Sequence, residues 1–439
     1  MGKPLCDRLV GGKRVLNKNN SKKDQRSFNF FFLYFIYISL YGIVVKFTAG
    51  NPTLFQIKTY IPEALLMLSV LPQASKKHRI DEKSFVLVVY MLLIMILNYI
   101  LHGATAQSFY WWRDLIIPVF VAVFIKTSHI SEEEANCFLR KLSVYGKIYI
   151  LAGFTLALIE NRMGWEWTSS FYAGHTFYGT DPYTRVLVNH YLGFVRTPGL
   201  SANFTSFAFY TSICVFAILW QNKRNNVKTV QTLPWLILGF ATCILSTNKS
   251  AVLGQIIVLM IAKANDVRGR NKAIANALLV FSGMLLIISF FAFDFSTFTS
   301  TYLSGSLLRF DAWANIIQST NFTEAIVPYN MFLYGSGTDV TAVSFGISFF
   351  DNFYLYLLFT QGIVGLYLIV SMVIRNVKKL KIADSNLFRM SIYIALFGAI
   401  IGLTSNMIQG RAYFAFAFIL LSFFAATTRD VKQAAGECK

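Results

Sequence analysis

Four cations in this chain stand beside turn residues: Arg196 in VRTPGLSANF, Lys249 in LSTNKSAVLG, Arg309 in SLLRFDAWANI and Arg411 in IQGRAYFAF. An arginine fork bonds two phosphate oxygens at once, and lysine adds a compact point charge. Gathered at one membrane face, such residues suit a pyrophosphate head group. Each one taken alone reads equally well as a side chain reaching lipid phosphate or pairing with a nearby acid. A fifth cation, Arg113, directly precedes Asp114 and is predicted to pair with it. Other chemistry is offered by residues 351–365, DNFYLYLLFTQGIVG, where Asp351 and Asn352 open an apolar and aromatic run. An acid there either caps a helix, accepting bonds from free backbone N–H groups, or acts as a general base beside a reactive hydroxyl. The residues leave both readings open.

Other chemistries find little support. The histidines, His78, His102, His129, His175 and His190, show no ligand spacing, and there is no Asp-x-Asp pair of the metal-dependent sugar transferases. Cys6, Cys137, Cys214, Cys243 and Cys438 are scattered, which predicts neither a disulfide framework nor a thiolate metal site. Phosphate-loop, dinucleotide, serine-hydrolase and zinc-protease signatures are absent. The sequence therefore predicts no metal, no cofactor and no nucleotide substrate.

The elements that must position these residues are membrane helices. The 439 residues are 55% hydrophobic and only 14% charged, against about 25% charged in soluble proteins. Apolar stretches near 28–48, 54–74, 84–101, 108–127, 143–162, 199–220, 229–246, 250–264, 273–293, 349–374, 390–407 and 411–427 predict about twelve transmembrane helices. The expected fold is an all-α polytopic membrane protein: a basic arm at 1–27, a transmembrane domain at 28–427 and a tail at 428–439. Residues 131–142, SEEEANCFLRKL, read as a short amphipathic surface helix.

Placing the N-terminus in the cytoplasm puts 31 of the 40 Lys and Arg residues on the inner side. That is the positive-inside pattern, and it accounts for the net charge of +19 without nucleic acid. The basic arm followed by a long apolar run predicts a retained first span rather than a cleaved signal peptide. Loops 75–83, 263–272 and 375–389 are then cytoplasmic, and the long loops 163–198 and 294–348 lie outside. Loop 294–348, with Trp313 and the Gly335–Gly337 turn, reads as a folded cap with helical pieces.

The run from Asp351 resembles the signature of the bacterial O-antigen polymerase and ligase superfamily: a His-Asn pair, nine residues, Gly, two residues, Gly and an aliphatic. Here Asp351-Asn352 is followed at that spacing by Gly362, Gly365 and Leu366, with aspartate where the family has histidine. LSTNKSAVLG is similar to the family's Thr-x-Ser-Arg-Gly segment, with Lys249 at the arginine. RFDAWANII followed by YGSG is similar to its Arg…Trp…Gly-x-Gly region, and Arg196 stands where the family has an arginine after its first large outer loop. The likeness spans roughly residues 190–370.

The resemblance implies a metal-independent, inverting glycosyltransferase at the periplasmic face of the bacterial inner membrane. Its donor would be an oligosaccharide on undecaprenyl pyrophosphate. Arg196 and Arg309 would hold the pyrophosphate with help from Lys249, and Asp351 would take the acceptor hydroxyl's proton. Arg113, Arg411 and Asn352 complete the candidate substrate-binding set. Because ligases carry the histidine, its replacement favours a Wzy-type polymerase over a ligase acting on lipid A core. The implied partners are the lipid-linked oligosaccharide, membrane lipids and a chain-length regulator protein. A lipid-linked oligosaccharide flippase is the alternative of another class; it would bring internal repeats and broken helices at matched positions.

Overall fold

The computed structural model describes residues 18–48, 50–74, 81–104, 108, 111–127, 130–171, 190–191, 194–201, 203–264, 322–329, 331, 352–383, 386–403 and 413–427. Apart from one antiparallel pair, β1 (His190–Tyr191) with β2 (Phe194–Val195), the regular elements among them are helical. The first half comprises α1 (Lys18–Ser39), α2 (Tyr41–Thr48), α3 (Pro52–Val70), α4 (Glu82–His102), α5 (Ile117–Thr127), α6 (Glu132–Met163) and α7 (Trp165–Phe171). The second comprises α8 (Phe204–Arg224), α9 (Thr229–Leu245), α10 (Lys249–Ala264), α11 (Phe322–Ile326), α12 (Phe353–Ile382), α13 (Phe388–Ile401) and α14 (Tyr413–Ala426).

Short polar side chains set the starts of these helices. Asn51, Asp81, Ser131, Asn203, Asn248 and Asn352 each accept backbone N–H bonds from the first turn of α3, α4, α6, α8, α10 and α12. Such a cap is worth about 1 kcal/mol, and it satisfies donors that lipid cannot.

Among the described residues, five helices are long and apolar enough to cross a membrane, or six if α1 and α2, bent by 67°, form one span. Helices α9, α10, α13 and α14 are apolar but shorter. The stretch 273–293 lies outside the described residues. The segment 131–142 is not a separate surface helix. It runs without interruption into the 143–162 stretch as the 32-residue α6, because no residue between them breaks a helix and Ser131 caps the whole.

Burial sorts the bundle. Every residue of α14 is buried, as are 15 of the 21 residues of α8. By contrast α3 and α4 leave Leu54, Ile57, Leu93 and Ile100 outward, Ile100 being 75% exposed. A belt of exposed aliphatic side chains around an aromatic core is what a lipid-facing bundle requires. Close approach of α6 to α8 uses Gly146 and Gly153, where an added Cβ would meet Cys214 and the Phe207 ring.

Among the described residues two spans are broken, and both breaks are filled by segments from elsewhere in the chain. At the α1–α2 break, Ser201 Oγ donates to the freed Ser39 carbonyl (2.8 Å) and Gly42 N–H donates to Leu200 O (3.2 Å). The backbone of Ser201 sits where Gly42 would carry a Cβ. In α12 the break is Gly362, at φ +64°, a conformation natural to glycine. Tyr90 Oη donates to the Gln361 carbonyl (2.6 Å), and an added Cβ on Gly362 would lie 2.7 Å from Ile326 O. Kinks inside membrane helices persist when hydroxyls re-satisfy the freed backbone.

Candidate functional site

The chain RTPGLS is held from four sides. Val195 N–H donates to Asn161 Oδ1 (3.0 Å), which anchors β2 to the end of α6. Gly199 N–H donates to the carboxylate of Glu160 (3.2 Å), a fully buried acid. Gly199 has φ +56° and packs under the Phe207 ring, so no side chain fits there. The turn closes with Ser201 N–H to Pro198 O (3.0 Å), and Ser201 Oγ lies 2.8 Å from Tyr149 Oη. Arg196, at the head of this turn, lays its guanidinium over the Phe204 ring, 5.2 Å from the centroid.

Thr197 Oγ1 then donates to Leu245 O (3.2 Å), the last carbonyl of α9. The STNKS turn follows at once: Thr247 takes φ +55° and Asn248 caps α10, whose first residue is Lys249. The segments carrying Arg196 and Lys249 are therefore stitched together by Thr197, a residue the sequence did not single out.

From Lys249 the contacts lead to the family-like run. Gly254, one turn and a half into α10, packs against Phe397 and Ile401 at the end of α13. The next residue, Gly402, accepts Phe353 N–H (2.8 Å), and Leu403 O accepts from Asn352 Nδ2 (3.0 Å). Asn352 Oδ1 meanwhile takes the N–H groups of Tyr354 and Leu355 (2.9 and 3.0 Å). Both ends of this buried amide thus work in the fold, and the helix cap of α12 is Asn352, not Asp351. Asp351, Arg309 and Arg411 lie outside the described residues.

Arg113 occupies a wide π-helical turn, Trp112–Ile116, before α5; such turns recur at functional sites. It pairs with Asp114, Nε to Oδ1 at 2.8 Å, as its spacing predicts, and faces Glu63 of α3 at 3.7 Å. All three side chains are largely buried. Trp112 Nε1 donates to Tyr99 Oη (3.2 Å), which places this turn beside the end of α4. There Asn98 holds the stretch just after the short α11, donating to Pro328 O (2.8 Å) and accepting Met331 N–H (2.8 Å). His102 Nε2 meets Tyr329 O at 2.7 Å. A helical piece within loop 294–348 is thus present in α11, seated on the Gly362 break. Asn98 sits mid-run in an apolar helix, and that alone was a signal of a polar task.

These contacts gather the Arg196 turn, the start of α10, the Arg113 turn, α11 and the start of α12 at one end of the bundle. The N-termini of α8, α10 and α12 point there together, adding positive partial charge to Arg196 and Lys249. Such an end can hold an anion. The other end is marked by Asp81, which bridges Lys126 (2.8 Å) and Arg375 (3.2 Å). Burial raises the Asp81 carboxyl's pKa, but the Lys126 bond and charge and the Ser84 donors outweigh it. The carboxyl is held well below the usual carboxylate range.

Among the described residues no three His, Cys, Asp or Glu side chains gather as metal ligands. Compared with known proteins, this chain matches no family model and no curated protein.

Proposed function

We propose that this chain is a membrane glycosyltransferase of the polymerase type, joining oligosaccharide units carried on undecaprenyl pyrophosphate. The observation that carries the reading is the Thr197–Leu245 hydrogen bond, which ties the Arg196 turn to the Lys249 turn. Two motifs about fifty residues apart, each read from sequence as a phosphate-binding group, share one end of the bundle with three helix N-termini. The proposal includes twelve spans, cytoplasmic termini and a periplasmic site at that end.

In the proposed reaction the acceptor sugar's hydroxyl oxygen attacks the anomeric carbon of the donor from the face opposite the pyrophosphate. A C–O glycosidic bond forms, and the bond from the anomeric carbon to the pyrophosphate oxygen breaks with inversion. The proton passes to the Asp351 carboxylate, and undecaprenyl pyrophosphate leaves. Arg196, Arg309 and Lys249 stabilise the charge gained by the leaving group, each charge-assisted bond contributing about 1.5–3 kcal/mol. Fixed cations and helix dipoles serve where other transferases place a metal.

The flippase reading is weakened by what fills the breaks. Broken helices in transporters unwind around a substrate or ion, whereas the α1 and α12 breaks receive Ser201 and Ile326 of the same chain.

The deciding experiment incubates purified full-length protein with a lipid-pyrophosphate-linked repeat unit and sizes the product. Longer glycan, insensitive to chelator and abolished by Arg196→Ala, is expected; Arg196→Lys should rescue poorly because it cannot make the bidentate contact. Single units translocated without elongation would overturn the proposal in favour of transport.

A further inference from the structure

At the opposite end, α6, the close of α8 and the start of α9 surround a cavity of about 510 Å³. Its cations are Arg140 and Lys147; its amides are Gln221, Asn222, Asn225 and Gln231; no acid is among its lining residues. Lys147 Nζ rests over the Trp235 ring, 5.6 Å from the centroid, which fixes both at one wall. Beneath them Asn222 Nδ2 donates to Thr232 Oγ1 (3.1 Å), locking α8 to α9. Gln221 Oε1 is buried with no hydrogen-bond partner among the described residues, an acceptor in want of a donor.

This set matches a phosphodiester that also carries a hydroxyl. Cations and amide N–H groups suit the phosphate oxygens, and Gln221 suits the hydroxyl. The rim decides between a soluble ester and a lipid. Val144, which lines the cavity, and Ile148 one turn further along α6 are 59% and 65% exposed; on α9, Val230 and Ile237 are 77% and 57% exposed. The polar cavity opens onto an apolar surface, as a headgroup site with room for acyl chains does, and basic pockets between membrane helices hold anionic headgroups.

We propose that this cavity binds the headgroup of an anionic membrane phospholipid, a phosphodiester bearing a free hydroxyl, with its chains along the Ile148 and Ile237 surface. The site lies at the end away from Arg196 and does not depend on the glycosyltransferase reading.

The test uses full-length protein in neutral detergent micelles and phospholipids brominated high on the acyl chains. Fluorescence of Trp235 is taken as the difference between the wild type and Trp235→Phe. Brominated phosphatidylglycerol should quench it at a roughly tenfold lower mole fraction than brominated phosphatidylcholine. Lys147→Gln and Arg140→Gln should each raise the required fraction about fivefold, while Lys147→Arg and Arg224→Gln stay within about twofold of wild type. Monodisperse elution of each variant separates lost binding from lost folding. Equal quenching by the two lipids, or no change in the two glutamine variants, would overturn the proposal. Full relief of quenching by millimolar inorganic phosphate would overturn the lipid as ligand and assign the cavity to a soluble phosphate.

Discussion

Asp351 and Asn352 are adjacent, yet the fold separates their tasks. Asn352 caps α12 and anchors Leu403, so Asn352→Ala should cost about 1–2 kcal/mol, seen as a lower melting temperature with intact membrane insertion. With the cap supplied by its neighbour, Asp351 is open to the base role proposed above. Asp351→Asn should then lower turnover by about 10²–10⁴-fold at little cost in stability, and Asp351→His should keep part of the activity. A fully active asparagine variant would remove Asp351 from the mechanism. At the other end, Asp81 offers a test in pH. Its depressed carboxyl stabilises the fold above the ordinary carboxylate pKa near ~4, and that contribution is lost as pH falls toward its native value. Asp81→Asn leaves Lys126 without its counter-ion and should cost about 1–3 kcal/mol at pH 7, below the cost for a fully buried pair since Asp81 is a third exposed. The gap in melting temperature between the two proteins should narrow as the pH is taken below ~4.

Among elements, the broken α12 connects the outer loop to the proposed site. Gly362 takes a left-handed conformation and has Ile326 O where a side chain would begin. Gly362→Ala should therefore destabilise by about 1–3 kcal/mol and displace α11, raising proteolysis of loop 294–348 before the bundle melts. An unchanged cleavage pattern would show that α11 does not need the break. The sequence displayed Gly362 and Gly365 as a spaced pair but not which of them breaks the helix. That choice depends on Tyr90 and the 325–328 backbone, which are distant in the chain and supply the hydrogen bond and the steric limit.

For the whole molecule, the two ends defined by contacts should face opposite compartments. Single cysteines placed at exposed Thr323 and Asn386 in a background lacking Cys6, Cys137, Cys214, Cys243 and Cys438 provide the measurement. An impermeant thiol reagent applied to intact cells should label position 323 and spare 386. The reverse would invert the membrane orientation, and with it the periplasmic site.

The helical class and the apolar runs of the described spans were legible in the sequence because each rests on local physics. Run length and period are settled within about twenty neighbouring residues. The Arg113–Asp114 pair belongs here too, since adjacency in the chain brought it about. What only the tertiary structure decided were the long-range joins: Thr197 to Leu245, Ser201 into the α1–α2 break, Ile326 against Gly362, and Asp81 between Lys126 and Arg375. None of these leaves a periodic or compositional trace, because each needs two surfaces that meet only after the helices pack. The choice of Asn352 as the cap of α12 was decided in the same way: a helix end is fixed by which side chain reaches the free N–H groups, and that is a matter of geometry rather than residue type.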